Sequence, residues 1–265
     1  ILDRFDPEFI VADAGISLDT ARSTLSVADA MALPPARPPR HIVISGYYGA
    51  CNTGDNLLLD SIADAVKRRV SDAHVVVAAT QPAEVELSHG LPAFARHDLD
   101  DAYRLLSRTS AFVLGAGGLW NDYNFTDHGG VLGFFRGARA SVAGWSQTMM
   151  LARMWGAQVH VFGMGVGPLT DPGARSLVRF AADNADTIAV RDTASRDILQ
   201  SIDGWTGKVH VHPDPVYGVA LPVPQSFTGL TQPYIALNLR DWPFTDSAHR
   251  DALRAALTSL CMARG

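Results

Sequence analysis

Residues 42–60 read IVISGYYGACNTGDNLLLD, and this stretch predicts the fold of the chain around it. A short apolar run, Ile42–Ile44, precedes a loop with three glycines, and apolar residues then recur at helical spacing. We interpret the stretch as a strand, a tight turn and the N-terminus of a helix that runs to about Val70, with Asn52 or Asp55 as its N-cap. Such a turn presents backbone N–H groups that can hold an anion or a sugar hydroxyl.

Beyond this stretch, short apolar strands alternate with amphipathic helices. We expect strands at His74–Ala79, Ala111–Leu114, Val159–Phe162, Thr187–Val190, Val209–Val211 and Tyr234–Leu239. The alternation predicts an α/β protein with a Rossmann-like parallel sheet and helices on both faces. Because the carboxyl ends of parallel strands share one edge, the glycine turns at Gly46, Gly115 and Gly163 should lie on one rim, where ligands bind.

Three segments follow from composition and pattern. Residues 1–40 form an N-terminal extension that closes in a proline-rich linker, and residues 41–225 form the Rossmann-like domain. Residues 226–265 are expected to be the start of a second, incomplete Rossmann-like domain. Since the sequence begins at Ile1 and stops inside a predicted helix, we expect it to be a piece of a longer protein.

Composition excludes several classes of function. The 265 residues are 47% hydrophobic and 18% charged, which is typical of a soluble globular protein. A net charge of −5 gives no basic surface for nucleic acid. The two cysteines lack metal-ligand spacing, so we predict no metal site and a reducing, cytoplasmic location. The apolar stretch Met154–Leu169 is too short and too interrupted to span a bilayer.

Six motifs place glycines or polar residues at the expected rim. They are GYYGACNTGD (46–55), GAGGLWND (115–122), GMGVGP (163–168), VRDTAS (190–195), HPDP (212–215) and LNLRDW (237–242). The first is neither a G-x-G-x-x-G dinucleotide fingerprint nor a phosphate-binding P-loop, because no G-K-[ST] follows it. Taken singly, each motif also has a structural explanation: a glycine turn, a helix cap, or an ion pair of Arg191 with Asp192 or Asp214.

Functional interpretations of the same residues stand beside the structural ones. Asn121 and Asp122 can bond sugar hydroxyls, and Trp120 can stack on a sugar ring. Two arginines at strand ends, Arg191 and Arg240, can pair with a carboxylate or phosphate. His212 is a candidate acid or base because histidine titrates near neutral pH.

Together the motifs resemble those of the polysaccharide pyruvyl transferase family, in identity and in order. The pattern of that family runs G-Y-Y-G-x-x-N-x-G-D-E, G-G-G-S-L-L-Q-D, Y-G-Q-G-I-G-P, V-R-D-x-x-S, A-D-P-V-F and a strand ending in L-R. The likeness covers about Ile42–Trp242. The chain departs from the pattern at Asn56, where the family has Glu, and at Met164, where it has Gln.

The resemblance implies a GT-B-like two-domain architecture, of which this chain would hold the N-terminal half. It also implies transfer of the enolpyruvyl part of phosphoenolpyruvate to a sugar of a cell-surface glycan or its precursor, giving a pyruvate ketal. The expected partners are phosphoenolpyruvate as donor and a glycan or lipid-linked sugar as acceptor. Peripheral membrane association through that acceptor and a homo-oligomer are further expectations. No cofactor besides the donor substrate is expected.

We predict site residues in two groups. The candidate catalytic residues are Asp55, Asp122 and His212. The candidate substrate-binding residues are Gly46, Tyr48, Gly49, Asn52, Gly54, Gly117, Gly118, Gly165, Arg191 and Arg240.

Two alternative functions remain open on the sequence. One is a GT-B-like glycosyltransferase with a nucleotide-sugar donor. The other is a non-catalytic sugar-binding or partner domain derived from the fold, which the departures at Asn56 and Met164 favour.

Overall fold

The computed structural model describes residues 40–136, 141–218 and 247–264. The chain forms two compact units, Ile1–Ala220 and Leu221–Gly265. The features predicted within residues 1–39, the strand at Tyr234–Leu239 and the candidate residue Arg240 lie outside the described residues.

Seven parallel strands form one sheet in the first unit, in the order β3-β2-β1-β4-β5-β6-β7. Their bounds are β1 Arg40–Ser45, β2 Ala73–Ala79, β3 Ala93–Ala95, β4 Thr109–Trp120, β5 Gln158–Val166, β6 Thr187–Val190 and β7 His210–Val211. The predicted α/β, Rossmann-like fold is therefore confirmed. The order reverses between β1 and β4, because β2 and β3 lie on one side of β1 and the later strands lie on the other. In open parallel sheets, such a reversal opens a crevice at the carboxyl ends of the strands.

Helices cover the sheet on both sides. In the first unit they are α1 Thr53–Arg69, α2 Pro82–His89, α3 Leu99–Leu106, α4 Gly133–Arg136, α5 Val142–Met154, α6 Pro172–Asp183 and α7 Thr193–Gln200. The described part of this unit also contains two short 3₁₀ turns, Gly130–Leu132 and Pro215–Gly218. The second unit contributes the helix α8, Ser247–Arg264.

The alternation along β1 separates two apolar cores. Val43 points to the core shared with α3, α5, α6 and α7, whereas Ile42 and Ile44 point to the core shared with α1 and α2. Burying both faces of a parallel sheet in this way is the main stabilising contribution to the fold. It also holds the loops at the rim on a rigid base.

The described residues contain neither a membrane-spanning helix nor a cluster of metal-ligating side chains. Within ranges 40–136, 141–218 and 247–264, no helix is long and apolar enough to cross a membrane. The same residues contain no group of three His, Cys, Asp or Glu side chains arranged to hold a metal ion.

Candidate functional site

The candidate site lies on the rim where β1 and β4 end. The loop that follows β1 leads into α1, and Asn52 caps that helix by accepting a hydrogen bond from the Gly54 N–H at 3.0 Å. The alternative cap, Asp55, is wrong, because Asp55 lies inside the first turn. There its negative charge faces the positive end of the helix dipole.

Asp55 is nearly buried, and its carboxylate lies against the glycine turn of β4. A Cβ built on Gly117 would lie 2.9 Å from Asp55 Oδ1, and Gly117 has a φ of +89° that disfavours other residues. The first and second glycine motifs therefore meet at the strand-order reversal. The sequence predicted both motifs on one rim but not this contact between them.

Tyr48 supports the first loop from beneath. Its side chain has no exposed surface, and its hydroxyl donates a hydrogen bond to the Gly115 carbonyl at 2.7 Å. The ring fills the space that a Cβ on Gly46 would need, 2.5 Å from Cζ. Burial, with the Asp55 charge as a second cause, raises the pKa of Tyr48 and keeps the hydroxyl protonated. The structure thus places Tyr48 below the rim, where it ties β1 to β4.

A neighbouring loop fixes the other side of this turn. Gly49 has a φ of +70° and lies against the backbone of Gln81, so close that a Cβ would be 2.4 Å from the Gln81 carbonyl oxygen. The Tyr48 carbonyl accepts a hydrogen bond from Thr80 N–H at 2.8 Å. Gly46 and Gly49 are therefore needed for the conformation of the loop, independently of any ligand that it binds.

Asn56 occupies the position at which the resemblance leads us to expect glutamate. Its amide Nδ2 donates to Glu84 Oε1 of α2 at 3.5 Å, at the outer limit of a hydrogen bond. A carboxylate therefore still lies beside this turn of α1, although it comes from another helix.

The end of β4 is split between buried and open residues. Trp120 is fully buried, so the interpretation that it stacks on a sugar ring is wrong. Gly118 is exposed, with no atom within 4 Å of the position of a Cβ. Asn121 donates to the Gly118 carbonyl and accepts from Tyr123 N–H at 3.2 Å, which shapes the turn around the open glycine.

Asp122 joins the loop after β4 to the loop after β5. Its Oδ2 accepts hydrogen bonds from the Asp171 N–H at 2.7 Å, from the Thr170 hydroxyl at 2.9 Å and from the Thr170 N–H. Partial burial alone would raise the pKa of Asp122, but these hydrogen bonds outweigh it and lower the pKa below its usual value. The carboxylate is therefore ionised and engaged, which suits a positioning role better than that of a proton donor.

Arg191 lies across the third glycine turn. A Cβ on Gly165 would be 2.7 Å from its Nη2 and 2.8 Å from its Cζ, so only glycine leaves room for the guanidinium. The group pairs weakly with Asp214 of the HPDP motif at 3.4 Å and with Asp192 at 3.8 Å. Its side chain remains about one-third exposed, at 36%. Both ion pairs that the sequence suggested are present, and they leave the Arg191 side chain partly exposed to solvent.

The rest of the VRDTAS motif holds Arg191 in place. Asp192 caps α7 by accepting from the Ser195 N–H at 2.7 Å, and the buried Ser195 hydroxyl accepts from Val166 N–H at 2.9 Å. Burial would raise the pKa of Asp192, but the bonds from Ser195 and the charge of Arg191 lower it. Asp192 thus stays ionised beside the guanidinium.

Asp55 and Arg191 contact glycines on adjacent strands. Gly117 of β4 pairs in register with Met164 of β5, the residue before Gly165. The glycine beneath the carboxylate and the glycine beneath the guanidinium therefore belong to neighbouring strands, which lie about 4.8 Å apart. The rim thus carries an acidic side chain against β4 and a cationic one against β5.

His212 sits at the edge of this arrangement. It is exposed, and its ring stacks on that of His210 with 6.2 Å between the ring centroids. The backbone N–H of His212 donates to the Val190 carbonyl. The same loop then contacts α1, where the Ser61 hydroxyl donates to the Pro215 carbonyl at 2.7 Å. An acid or base role for His212 stays a prediction.

A groove of about 700 Å³ beside α1 is separate from this rim. Ile42, Ser110, Gln158 and Thr187, which all lie at the starts of their strands, are among its lining residues. It therefore opens at the amino-terminal half of the sheet, away from the residues described above.

Comparison with known families assigns the chain. The family model "Polysaccharide pyruvyl transferase" matches residues 52–254, which is most of the sequence. The chain belongs to the polysaccharide pyruvyl transferase family. The matched range includes the helix cap Asn52, the glycine turns at the ends of β4 and β5, and the VRDTAS motif that contains Arg191. Among curated proteins, none matches the chain.

Proposed function

We propose that this chain transfers the enolpyruvyl group of phosphoenolpyruvate to a sugar and forms a pyruvate ketal on a glycan or its lipid-linked precursor. Membership of the family supports a transferase that acts on a sugar acceptor. The observation that carries the finer proposal is the partly exposed Arg191 guanidinium on Gly165, one strand away from the buried Asp55.

The donor carries a phosphate and a carboxylate, and both suit a guanidinium. Arginine binds such groups through two parallel hydrogen bonds, with more geometric specificity than lysine. Since Asp214 and Asp192 bind Arg191 only at 3.4 and 3.8 Å, an anionic donor can compete for its N–H groups. Arg191 is therefore the donor-binding residue of the proposal.

The reaction forms two C–O bonds at the enol carbon C2 of the donor. One sugar hydroxyl adds to C2 and loses its proton to a base, while C3 takes up a proton from an acid and becomes a methyl group. The C2–O bond to phosphate then breaks, and a second hydroxyl of the same sugar closes the ketal and gives its proton to solvent or to the leaving phosphate. The products are the pyruvate ketal and inorganic phosphate.

Asp55 is the proposed proton-transfer group for these steps. It contacts Gly117 at the end of β4, beside the strand-order reversal, and its position in the first turn of α1 keeps it on the rim. General acid–base help of this kind contributes roughly 10²–10⁴ in rate. Asp122 is proposed to position the loops after β4 and β5, because its described hydrogen bonds all go to that loop pair.

The test is phosphate release from phosphoenolpyruvate with a panel of sugar acceptors, with the full-length chain. We expect Arg191→Ala to lower kcat/KM by about 100-fold, as when one charged donor at a transition state is lost. The matched control is Arg196→Ala, since Arg196 lies on α7 and pairs outward with Asp197 at 2.7 Å. Full activity of Arg191→Ala would remove Arg191 from the site.

Two outcomes would support other functions. Release of a nucleotide from a nucleotide sugar, without phosphate release from phosphoenolpyruvate, would indicate a glycosyltransferase. Acceptor binding without turnover of any donor would indicate a sugar-binding domain. A homo-oligomer and a cytoplasmic location remain predictions.

A further inference from the structure

We propose that an exposed apolar patch beside the rim docks on the surface of an anionic lipid bilayer. The patch consists of Val131, Leu132, Phe135 and Phe180. These side chains are 44%, 57%, 74% and 44% exposed, and a grouped apolar surface, unlike a single exposed side chain, indicates an interaction site.

The four side chains belong to segments that contact one another, since the 3₁₀ turn packs against both α4 and α6. The ring of Phe134 lies between the other two phenylalanines, with its centroid 5.3 Å from that of Phe135 and 6.2 Å from that of Phe180. Val131 and Leu132 belong to the 3₁₀ turn that precedes α4, and Phe135 lies within α4. Short segments with aromatic and aliphatic side chains on one face are typical of proteins that insert into the headgroup region.

Local charge favours anionic lipid over other apolar partners. Asp127 is exposed four residues before Val131, and after it the sequence has no Asp or Glu until Asp171. Arg136 is exposed directly after Phe135. Both ends of α6 carry acids that are already engaged: Asp171 accepts from the helix N–H groups, and Asp183 pairs with Arg179 at 3.7 Å.

The size of the patch also argues against a stable protein interface. Such interfaces use about 20–30 residues on each side, whereas this patch has four apolar side chains and one arginine. Membrane binding instead scales with the apolar area that is buried, and one basic residue near an anionic surface adds about 1 kcal/mol, which suits weak and reversible docking. The occupant that fits is therefore a bilayer with negatively charged headgroups.

Position links the patch to the proposed function. A Cβ on Gly173, in the first turn of α6, would lie 2.9 Å from Val131 Cγ2. That turn follows the loop after β5 that Asp122 holds. Docking would bring the rim close to the membrane, where a lipid-linked sugar is presented. Only this last step rests on the proposed function; the docking does not.

The test is co-sedimentation of the full chain with vesicles that contain no glycolipid. One set is phosphatidylcholine alone, and the other is equal parts of phosphatidylcholine and phosphatidylglycerol. We expect binding to the anionic vesicles only, weakened by added salt. Phe135→Ser and Leu132→Ser should each lower the partition coefficient roughly tenfold, and Arg136→Gln about fivefold.

Matched controls are Leu87→Ser on α2, since Leu87 is 89% exposed, and Arg104→Gln on α3, which is also exposed. Both should bind as the unaltered protein does, and thermal melts should show that every variant is folded. Three results would overturn the proposal: no binding to anionic vesicles, equal loss in the controls, or a lipid-free dimer that Phe135→Ser dissociates. Vesicle binding without phosphate release would contradict the proposed function alone, and phosphate release without vesicle binding would contradict the docking alone.

Discussion

Gly165 shows how one absent side chain makes a cation available. The sequence predicts a glycine turn after β5, and close packing of backbone against a neighbour is the ordinary reason for such glycines. Which group fills the space depends on β6, since Arg191 comes from the end of that strand. The glycine could therefore be predicted as a site residue, but its contact with the guanidinium could not.

Gly165→Ala is expected to weaken donor binding and leave the fold intact. The new Cβ would meet the guanidinium at 2.7–2.8 Å, and this is the end of a flexible side chain that can move. We expect KM for phosphoenolpyruvate to rise roughly tenfold, the loss expected when a hydrogen bond to a charged group is displaced. The control is Gly218→Ala, whose nearest neighbour is Ser61 Oγ at 3.8 Å. An unchanged KM in steady-state kinetics would contradict the role of Arg191.

Tyr48 gives a second prediction at this scale, through its pKa. Burial and then the Asp55 charge raise that pKa in the folded protein above the ordinary value of about 10. The contribution of the neutral hydroxyl to stability is therefore complete below about pH 10 and is lost as the pH rises further. Tyr48→Phe should cost about 1–2 kcal/mol at pH 7, because the buried Gly115 carbonyl loses its donor.

Denaturant unfolding across pH tests this. The difference in unfolding free energy between the unaltered protein and Tyr48→Phe should shrink above about pH 10. Tyr103→Phe, at an exposed tyrosine on α3, is the control for tyrosines that the fold does not bury. A difference that stays constant through pH 11 would show that the hydroxyl is not held neutral by the fold.

Among the elements, periodicity predicted long helices and buried strands well. The helix predicted to run to about Val70 is α1, and the strand at Thr187–Val190 is β6. The pattern missed α2 and β3, because α2 buries only Val85 and β3 has three residues. Neither gives a periodic apolar signal long enough to identify.

Strand β4 was predicted too short for a different reason. Its apolar run ends at Leu114, yet the strand continues through the glycines to Trp120, because Gly115 and Gly117 pair with β5. Glycine is depleted in strands, so local propensity placed the strand end too early. Tertiary pairing decided the boundary, and it also buried Trp120, which the sequence had suggested for a sugar.

The next prediction concerns Asp122, which joins the loops after β4 and β5 and should therefore contribute to stability. Its lowered pKa means that it stabilises the fold above the unfolded-state value of about 4, and that this contribution is lost as the pH falls through the folded-state pKa. Asp122→Asn keeps an acceptor but loses the charge, so we expect a loss of about 1 kcal/mol at pH 7. That loss should diminish below about pH 4. Denaturant unfolding measures this loss, with Asp127→Asn as the control because Asp127 is exposed. Equal unfolding free energies for Asp122→Asn and the unaltered protein at pH 7 would contradict the anchoring role.

For the whole molecule, the order of motifs was more informative than any single motif. Parallel strands put every motif that follows a strand on one edge, so the rim followed from the fold class alone. The order of the motifs could not predict which residues of the rim shape its loops and which of them are left for binding or catalysis. Tyr48 and Gly49 build the loop, Asp122 joins two loops, and Asp55 and Arg191 contact the glycines of β4 and β5.

Charge at the rim leads to the last prediction, which concerns Arg240. A donor with a phosphate and a carboxylate needs more positive charge than Arg191 alone provides, since Asp192 and Asp214 already share that guanidinium. Arg240 was predicted from the sequence as a donor-binding residue and lies outside the described residues. We expect Arg240→Ala to lower kcat/KM for phosphate release by about 100-fold, with no change in the thermal melt. Arg254→Ala on α8 is the control within the same unit, and full activity of Arg240→Ala would leave Arg191 to bind the donor with another partner.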